Sequence, residues 1–283
     1  MMNVVVKLQG GMGNQMFQYA FGKKISVNSG RNLVLDRSFL LNKTPGPWNN
    51  YTCRDYDLDI FNISNHSVVD QFNDDFFYVG ETVDPHSDIT QIDRLLESIL
   101  KIRAENVYTD GYWASPRYFS DSFLFDEEFS FRKDLIMGNA LSEEISKSNS
   151  VMINIRRTDF LNGNFHGVYG KDYILKCIEE IEKKEIGLKY YIFSDDIPWC
   201  YENLSDIPSS FIVDHSYKGD RFSNYLHLMT LCKHFIIPNS TFAWWAAFLS
   251  KNKDKRVFYP KLWLKGHGIK TDFLVDRLNW ECI

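Results

Sequence analysis

Val151-Met152-Ile153-Asn154-Ile155-Arg156-Arg157 is an apolar strand that ends in two arginines, and Val4-Val5-Val6-Lys7-Leu8 is a second one that leads into Gly10-Gly11-Met12-Gly13-Asn14-Gln15. Each puts cationic or flexible groups at the end of a buried strand. In open α/β sheets ligands bind in the crevice beyond the carboxyl ends of the strands, where glycines and arginines suit phosphate. Read together, the two runs indicate an α/β chain that handles a nucleotide.

Outward from these runs, strands and helices alternate. A strand at 3–8, a helix at 14–29 closed by Gly30 and a strand at 32–36 make a βαβ opening. Residues 42–90, with Pro45, Pro47 and many Asn and Asp, read as an irregular excursion with short helices. A helix at 91–104, a strand at 107–111 and a helix near 132–148 follow. Beyond them the pattern predicts strands at 151–156, 189–193, 211–213, 234–237 and 256–259, separated by helices at 171–185, 197–204, 221–232 and 241–250. That is a doubly wound parallel sheet. The expected organisation is two α/β halves, 1–145 and 146–283, with a cleft between them.

The 283 residues are 44 % hydrophobic and 24 % charged, a globular composition, and aromatics reach 16 %. A net charge of −5 without a basic tract argues against nucleic acid as a partner. No signal-like or membrane-spanning stretch is present, so the expected location is cytoplasmic, with at most peripheral membrane association. The five cysteines are odd in number and form no C-x-x-C pair, which suits a reducing compartment and gives no zinc spacing.

Strand alternation puts Asn154 and Arg156 on one face, with Ile153, Ile155 and Arg157 on the other. The planar fork of Arg156 can bind two diphosphate oxygens at once, and Arg157 is expected to pair with Asp159 across the turn. The competing reading makes both arginines structural salt bridges. The glycine run lets backbone approach a ligand at a helix start. It lacks the full dinucleotide fingerprint and the P-loop Lys-Ser/Thr, and a plain strand-to-helix turn is its alternative; Asn14 and Gln15 add amides beside it. Ser194 and Asp195 end another strand. Asn239 or Ser240 can cap a helix whose free N–H groups form an anion site. Trp244 and Trp245 read as packing residues, with sugar stacking as the alternative. Asp214 is either a guanine-edge acceptor or an ordinary loop residue. Asp57-Leu58-Asp59 invites a metal-bound Asp-x-Asp reading, but Tyr56, Leu58, Ile60 and Phe61 around it look like packing residues. No histidine spacing supports zinc, and no Gly-x-Ser-x-Gly elbow supports Ser/His/Asp hydrolysis.

Gly10 to Ala20, Asp110 to Phe119, Asn154 to Phe160, Phe193 to Asp196 and Cys232 to Trp245 together resemble, in order, the motifs of the bacterial α1,2-fucosyltransferases, over residues 3 to about 263. The resemblance implies a GT-B-like α/β fold of two Rossmann-like lobes. It also implies GDP-fucose as donor, inversion at the anomeric carbon, transfer to the 2-hydroxyl of a terminal sugar such as galactose, and no metal or other cofactor. By the same resemblance Arg156 matches the arginine on the donor diphosphate, Ser240 and Thr241 match phosphate contacts, and Gly11, Asn14 and Gln15 match the loop facing the fucose. The family usually has His where this chain has Asn154, and commonly Gly at Thr158. Asparagine keeps a donor but does not titrate near neutrality, so this position is not expected to remove a proton.

Motif and resemblance together give Arg156, Asn14 and Asp159 as the catalytic set. The donor-binding set is Gly11, Gly13, Gln15, Asn154, Arg157, Ser194, Asp195, Asp214, Asn239, Ser240 and Thr241, with no metal ligand. The expected mechanism is electrostatic, with Asp159 as a candidate base or a structural residue. The expected partners are GDP-fucose and a galactose-containing glycan. Three readings compete: a non-catalytic nucleotide-sugar or glycan-binding protein of the same fold, a fucosyltransferase with another acceptor, and a nucleotide-sugar transferase acting on protein hydroxyls.

Overall fold

Val4, Val5 and Val6 have no exposed surface, so their strand must be covered on both faces, as central strands of parallel sheets are. The computed structural model describes residues 2–44, 53–82, 90–119, 125–161 and 166–283. It divides the chain into two compact units, Met1–Ser130 with Asp272–Leu278, and Phe131–Thr271 with Asn279–Ile283. The division lies upstream of the expected position near 145. The reason is local: Leu135 O accepts from Ser223 Oγ at 3.2 Å and Met137 N donates to Asn224 Oδ1 at 3.0 Å, which fixes this segment to the second unit.

The first unit runs β1 (Asn3–Lys7), α1 (Met12–Ser29), β2 (Asn32–Asp36), α2 (Ser38–Leu41), β3 (His66–Val69), β4 (Phe77–Gly80), α3 (Thr90–Leu100), β5 (Asn106–Asp110) and α4 (Phe125–Glu128). Its sheet is parallel in the order β3-β2-β1-β5-β4. The chain winds outward from β1 on one side and returns on the other, so its switch point lies between β1 and β5. α1 packs tightly on the sheet at Gly22, where a Cβ would stand 2.4 Å from Val6 Cγ2 and 2.8 Å from Leu33 Cδ1. The excursion holds a 3₁₀ turn at Leu58–Ile60 and two strands that its polar composition conceals. β3 and β4 are sheet edges, and of their eight residues only Val79 is buried, so no apolar alternation marks them. Residues 45–52 and 83–89 of that excursion lie outside the described residues.

The second unit runs α5 (Ala140–Lys147), β6 (Asn149–Ile155), α6 (Thr158–Leu161), α7 (Lys171–Glu182), β7 (Leu188–Ser194), α8 (Ile197–Leu204), β8 (Ser210–Val213), α9 (Ser223–Thr230), β9 (His234–Ile236), α10 (Thr241–Leu249) and β10 (Val257–Tyr259). The antiparallel pair β11 (Leu262–Leu264) and β12 (Ile269–Lys270) and the strand β13 (Glu281–Cys282) complete it. The main sheet is parallel, β13-β10-β9-β6-β7-β8, which puts its switch point between β6 and β9. The helix expected near 132–148 begins only at Ala140, because Asn139 and Ser142 form a reciprocal cap there.

A buried ionic knot ties α1 to the end of the first unit. Glu128 receives Tyr19 Oη at 2.5 Å, Lys23 Nζ at 2.7 Å and Ser64 N at 3.0 Å. Burial pushes the carboxyl up, but the bonds from Lys23, Tyr19 and Ser64 outweigh it and hold it below the usual glutamate range. Glu128 therefore contributes stability above the unfolded pKa of about 4.3, and loses it as pH falls through the lower folded value. Urea unfolding of Glu128→Gln should show a loss of about 3 kcal/mol at neutral pH, since Lys23 is left buried with only the Ser64 carbonyl and no counter-charge. The gap from wild type should narrow as pH drops below about 4.

Candidate functional site

In the second unit the loops after β6 and β9 flank the switch point, and both carry the residues singled out by sequence. Arg156 stands just past β6 with its side chain 25 % exposed. Its Nη2 donates to Asp159 Oδ2 at 2.5 Å, and its Nη1 lies 3.1 Å from Asp195 Oδ2. A guanidinium has five N–H donors, so donors are left over for a ligand. Asp159 is thus the partner of Arg156, not of Arg157 as expected. Arg157 Nε donates to Asp196 Oδ2 at 3.1 Å and its guanidinium lies 4.2 Å from the Trp199 ring centre, because the chain turns after β6 and sends the second arginine towards α8.

Several expected donor contacts are scaffold. Asp195 accepts from Arg157 N at 2.9 Å, Thr158 N at 3.2 Å and Thr158 Oγ1 at 2.6 Å, so it holds the arginine turn. Ser194 is buried, its Oγ accepts Asp196 N at 2.8 Å and its N–H donates to Tyr225 Oη at 3.2 Å. Asn154 is buried and donates from Nδ2 to Phe193 O at 3.2 Å, tying β6 to β7. Asp214 caps the next turn by accepting Ser216 N at 2.8 Å and Oγ at 2.5 Å; these bonds from Ser216 hold its carboxyl below the usual range. Asn239 Nδ2 donates to the carbonyls of His166, Gly167 and Trp263 at 2.9, 3.3 and 2.9 Å, leaving no amide proton for a donor sugar.

Ser240 differs from these. It is the N-cap of α10 but its side chain makes no capping bond, and the first turn has no acidic residue. The N–H groups of Thr241 and the two residues after it have no helical acceptor, so this terminus can receive an anion. Trp244 and Trp245 are fully buried, which makes them packing residues and removes sugar stacking.

At the first unit's switch point, Gly10 has φ +76°, and a Cβ there would stand 2.4 Å from Asn14 Nδ2, so glycine is required. Gly11 is the N-cap of α1, and Met12 and Gly13 begin that helix. Gln15 is buried and fully engaged: Nε2 donates to Gly10 O at 3.0 Å and Asp55 O at 2.8 Å, and Oε1 accepts Asp57 N at 3.0 Å. Gln18 donates to Gly111 O at 3.1 Å and accepts Gln9 N at 3.0 Å. Asn14 is half-buried at the mouth of the turn. Leu58, Ile60 and Phe61 are buried, so the Asp57-Leu-Asp59 stretch packs onto the unit. The 110–119 motif is also a scaffold: Arg117 is clasped by Asp93 at 2.8 Å and Asp276 at 3.1 Å.

Sequence reasoning missed the residues that carry no motif. The His166 ring stacks on Phe160 at 4.2 Å and 10°, and Arg156 lies 5.6 Å from the centre of that same ring; burial lowers the His166 pKa. Tyr225 Oη donates to Val213 O at 2.5 Å and His215 Nε2 lies 2.9 Å from Ser194 O, bracing the ends of β7 and β8. Only a fold places these side chains beside the arginine turn. Among the described residues no group of three or more His, Cys, Asp or Glu is arranged to hold a metal ion, and no helix is long and apolar enough to cross a membrane.

Residues 2–263 match the family model described as glycosyl transferase family 11. The chain is 30 % identical to an α-1,2-colitosyltransferase of Escherichia coli, covering 95 % of this chain and 94 % of the relative. It is 29 % identical to the O-antigen biosynthesis glycosyltransferase WbnK of Escherichia coli, over 95 % and 97 %. Among solved structures, the fucosyltransferase NodZ from Bradyrhizobium aligns with a TM-score of 0.56 at 17 % identity, over 88 % of this chain and 92 % of that one; this likeness concerns the fold.

Asn239→Asp keeps the shape but leaves the buried carbonyl of Trp263 and the partly buried ones of His166 and Gly167 without their donor. It should destabilise the second unit by about 2–4 kcal/mol, measured by urea unfolding followed through tryptophan fluorescence.

Proposed function

The chain belongs to glycosyl transferase family 11, and from that premise we propose that it moves L-fucose from GDP-fucose to the 2-hydroxyl of a terminal galactose-type sugar, with inversion at the anomeric carbon. The observation that carries the donor half is the meeting of two anion-binding elements at one switch point. Arg156 follows β6 and the uncapped start of α10 follows β9, and β6 and β9 are adjacent. The names of two relatives support the linkage: the α-1,2-colitosyltransferase already described and a galactoside 2-alpha-L-fucosyltransferase of Caenorhabditis elegans, 28 % identical over 56 % of this chain.

In this reading the acceptor oxygen attacks the anomeric carbon from the face opposite the phosphate, and the carbon–oxygen bond to the β-phosphate breaks. The electron pair leaves on GDP, where Arg156, the Ser240 hydroxyl and the free N–H groups of Thr241 and Phe242 take up the growing charge. The sugar carbon passes through a cationic state, so the hydroxyl needs little activation and its proton departs late, to solvent. Asp159 is given the task of holding Arg156 and not of removing that proton, because its Oδ2 is bonded to the guanidinium. Asn14 at the glycine turn is assigned to the sugar side.

The colitosyltransferase relative favours a second donor, GDP-colitose, whose sugar lacks the 3-hydroxyl of fucose. A site built to hydrogen-bond that hydroxyl rejects the deoxy sugar strongly, so the two donors separate cleanly. Incubation of the protein with lactose and either GDP-fucose or GDP-colitose, with GDP release and product linkage followed by NMR, decides between them. Fucosylation at O2 of galactose is the expected product; turnover of GDP-colitose alone, or of neither, contradicts it. Arg156→Lys keeps the charge but loses the fork, and should lower kcat/KM by about 10²–10³ with an unchanged circular dichroism spectrum.

A further inference from the structure

The first unit's sheet has one face against α1, at Val6 and Leu33. The other bears Val5, Val34 and Tyr108, with Val69 and Phe72 packed on them. Strand alternation and register put Lys7, Tyr78, Tyr108 and Asp110 on that second face. There Phe76, Tyr108 and Tyr78 form a row of near-parallel rings, with centroids 4.7 and 6.5 Å apart and planes inclined 28° and 15°. Tyr108 is the buried middle of the row and donates to Asp36 Oδ2 at 2.9 Å. The outer rings are open: Phe76 is 45 % exposed and Tyr78 56 %.

Charged and amide groups border these rings. Tyr78 Oη donates to Asp110 Oδ2 at 3.2 Å, Lys7 Nζ to the same oxygen at 2.8 Å, and Gln9 Nε2 to Asp110 Oδ1 at 3.3 Å. Asp110 also ends β5 at the switch point, and Gln9 immediately precedes the glycine turn. The aromatic strip is therefore continuous with the candidate site of this unit.

We propose that this strip is a carbohydrate subsite that takes the galactose-type sugars of the acceptor glycan, stacked on Phe76 and Tyr78 with their hydroxyls on Asp110 and Lys7. It rests on the reading of the chain as a transferase to glycans. A pyranose pairs an apolar C–H face with a rim of hydroxyls, and an exposed ring beside a carboxylate and an ammonium matches both. A flat apolar protein surface fits less well, since it would strip water from the Lys7–Asp110 pair and return no hydrogen bonds. Exposed aromatic patches of this kind mark binding surfaces in soluble proteins.

Direct binding tests this without catalysis. Saturation-transfer NMR titrations with lactose and with a galactose-terminated tetrasaccharide would be run on wild type, Phe76→Ala, Tyr78→Ala, Tyr78→Phe and, as a control on an exposed ring of α8, Tyr201→Ala. Expected is a rise in glycan Kd of about tenfold for each alanine variant at the strip, with near-wild-type values for Tyr78→Phe and Tyr201→Ala. Equal affinities throughout, or no saturation transfer from wild type to either glycan, would overturn the subsite. GDP binding by calorimetry, run in parallel, should be the same in every variant. Its absence from wild type would count against the donor reading alone, because the glycan titrations contain no nucleotide.

Discussion

The guanidinium of Arg156, held between Asp159 and Asp195 beyond the end of β6, is the interaction on which the proposed donor chemistry turns. Two carboxylates fix the plane of the fork before any ligand arrives, and a pre-organised fork gives up less freedom on binding than a free side chain would. The same carboxylates do not trap it. The two carboxylates engage only two of the five guanidinium N–H donors, so the unengaged donors permit phosphate binding without displacing either carboxylate. The uncapped start of α10 supplies the complementary element, fixed positive partial charge on backbone that does not have to reorganise.

Around this point the motifs divide into groups with unengaged polar atoms and groups whose hydrogen bonds hold the strand-end loops. Gln15, Gln18 and Asn239 are buried amides whose hydrogen bonds go to backbone. Buried backbone polar groups need partners, and a loop at the end of a strand has none within the sheet. An amide with two donors and an acceptor is a compact way to supply them. Asp195 and Ser194 do the same for the turns after β6 and β7. A motif can thus be long and specific while few of its side chains touch substrate.

The alternation of strands and helices was legible because central parallel strands are continuous apolar runs; β1, β6 and β7 are recovered within two residues at either end. Of the edge strands, β8 was recovered because Ile212 and Val213 are buried, whereas β3, β4 and β13 were not, since they bury almost nothing and have no pattern to read. Sequence placed Arg156 and the glycine turn just past strand ends and Ser240 at a helix start, where the fold also puts them. It could not apportion the carboxylates, because the turn after β6 brings Asp159 to Arg156 and sends Arg157 to Asp196 and Trp199. Nor could it find His166, Tyr225 or the ring row of Phe76, Tyr108 and Tyr78, which only the sheet register assembles.

The most direct measurement is an experimental structure of the protein with GDP bound. The β-phosphate should lie with its oxygens about 2.7–2.9 Å from the Arg156 guanidinium nitrogens, and within hydrogen-bond reach of the Ser240 hydroxyl and the N–H groups of Thr241 and Phe242. GDP bound elsewhere, with Arg156 still engaged only by Asp159 and Asp195, would contradict the assignment.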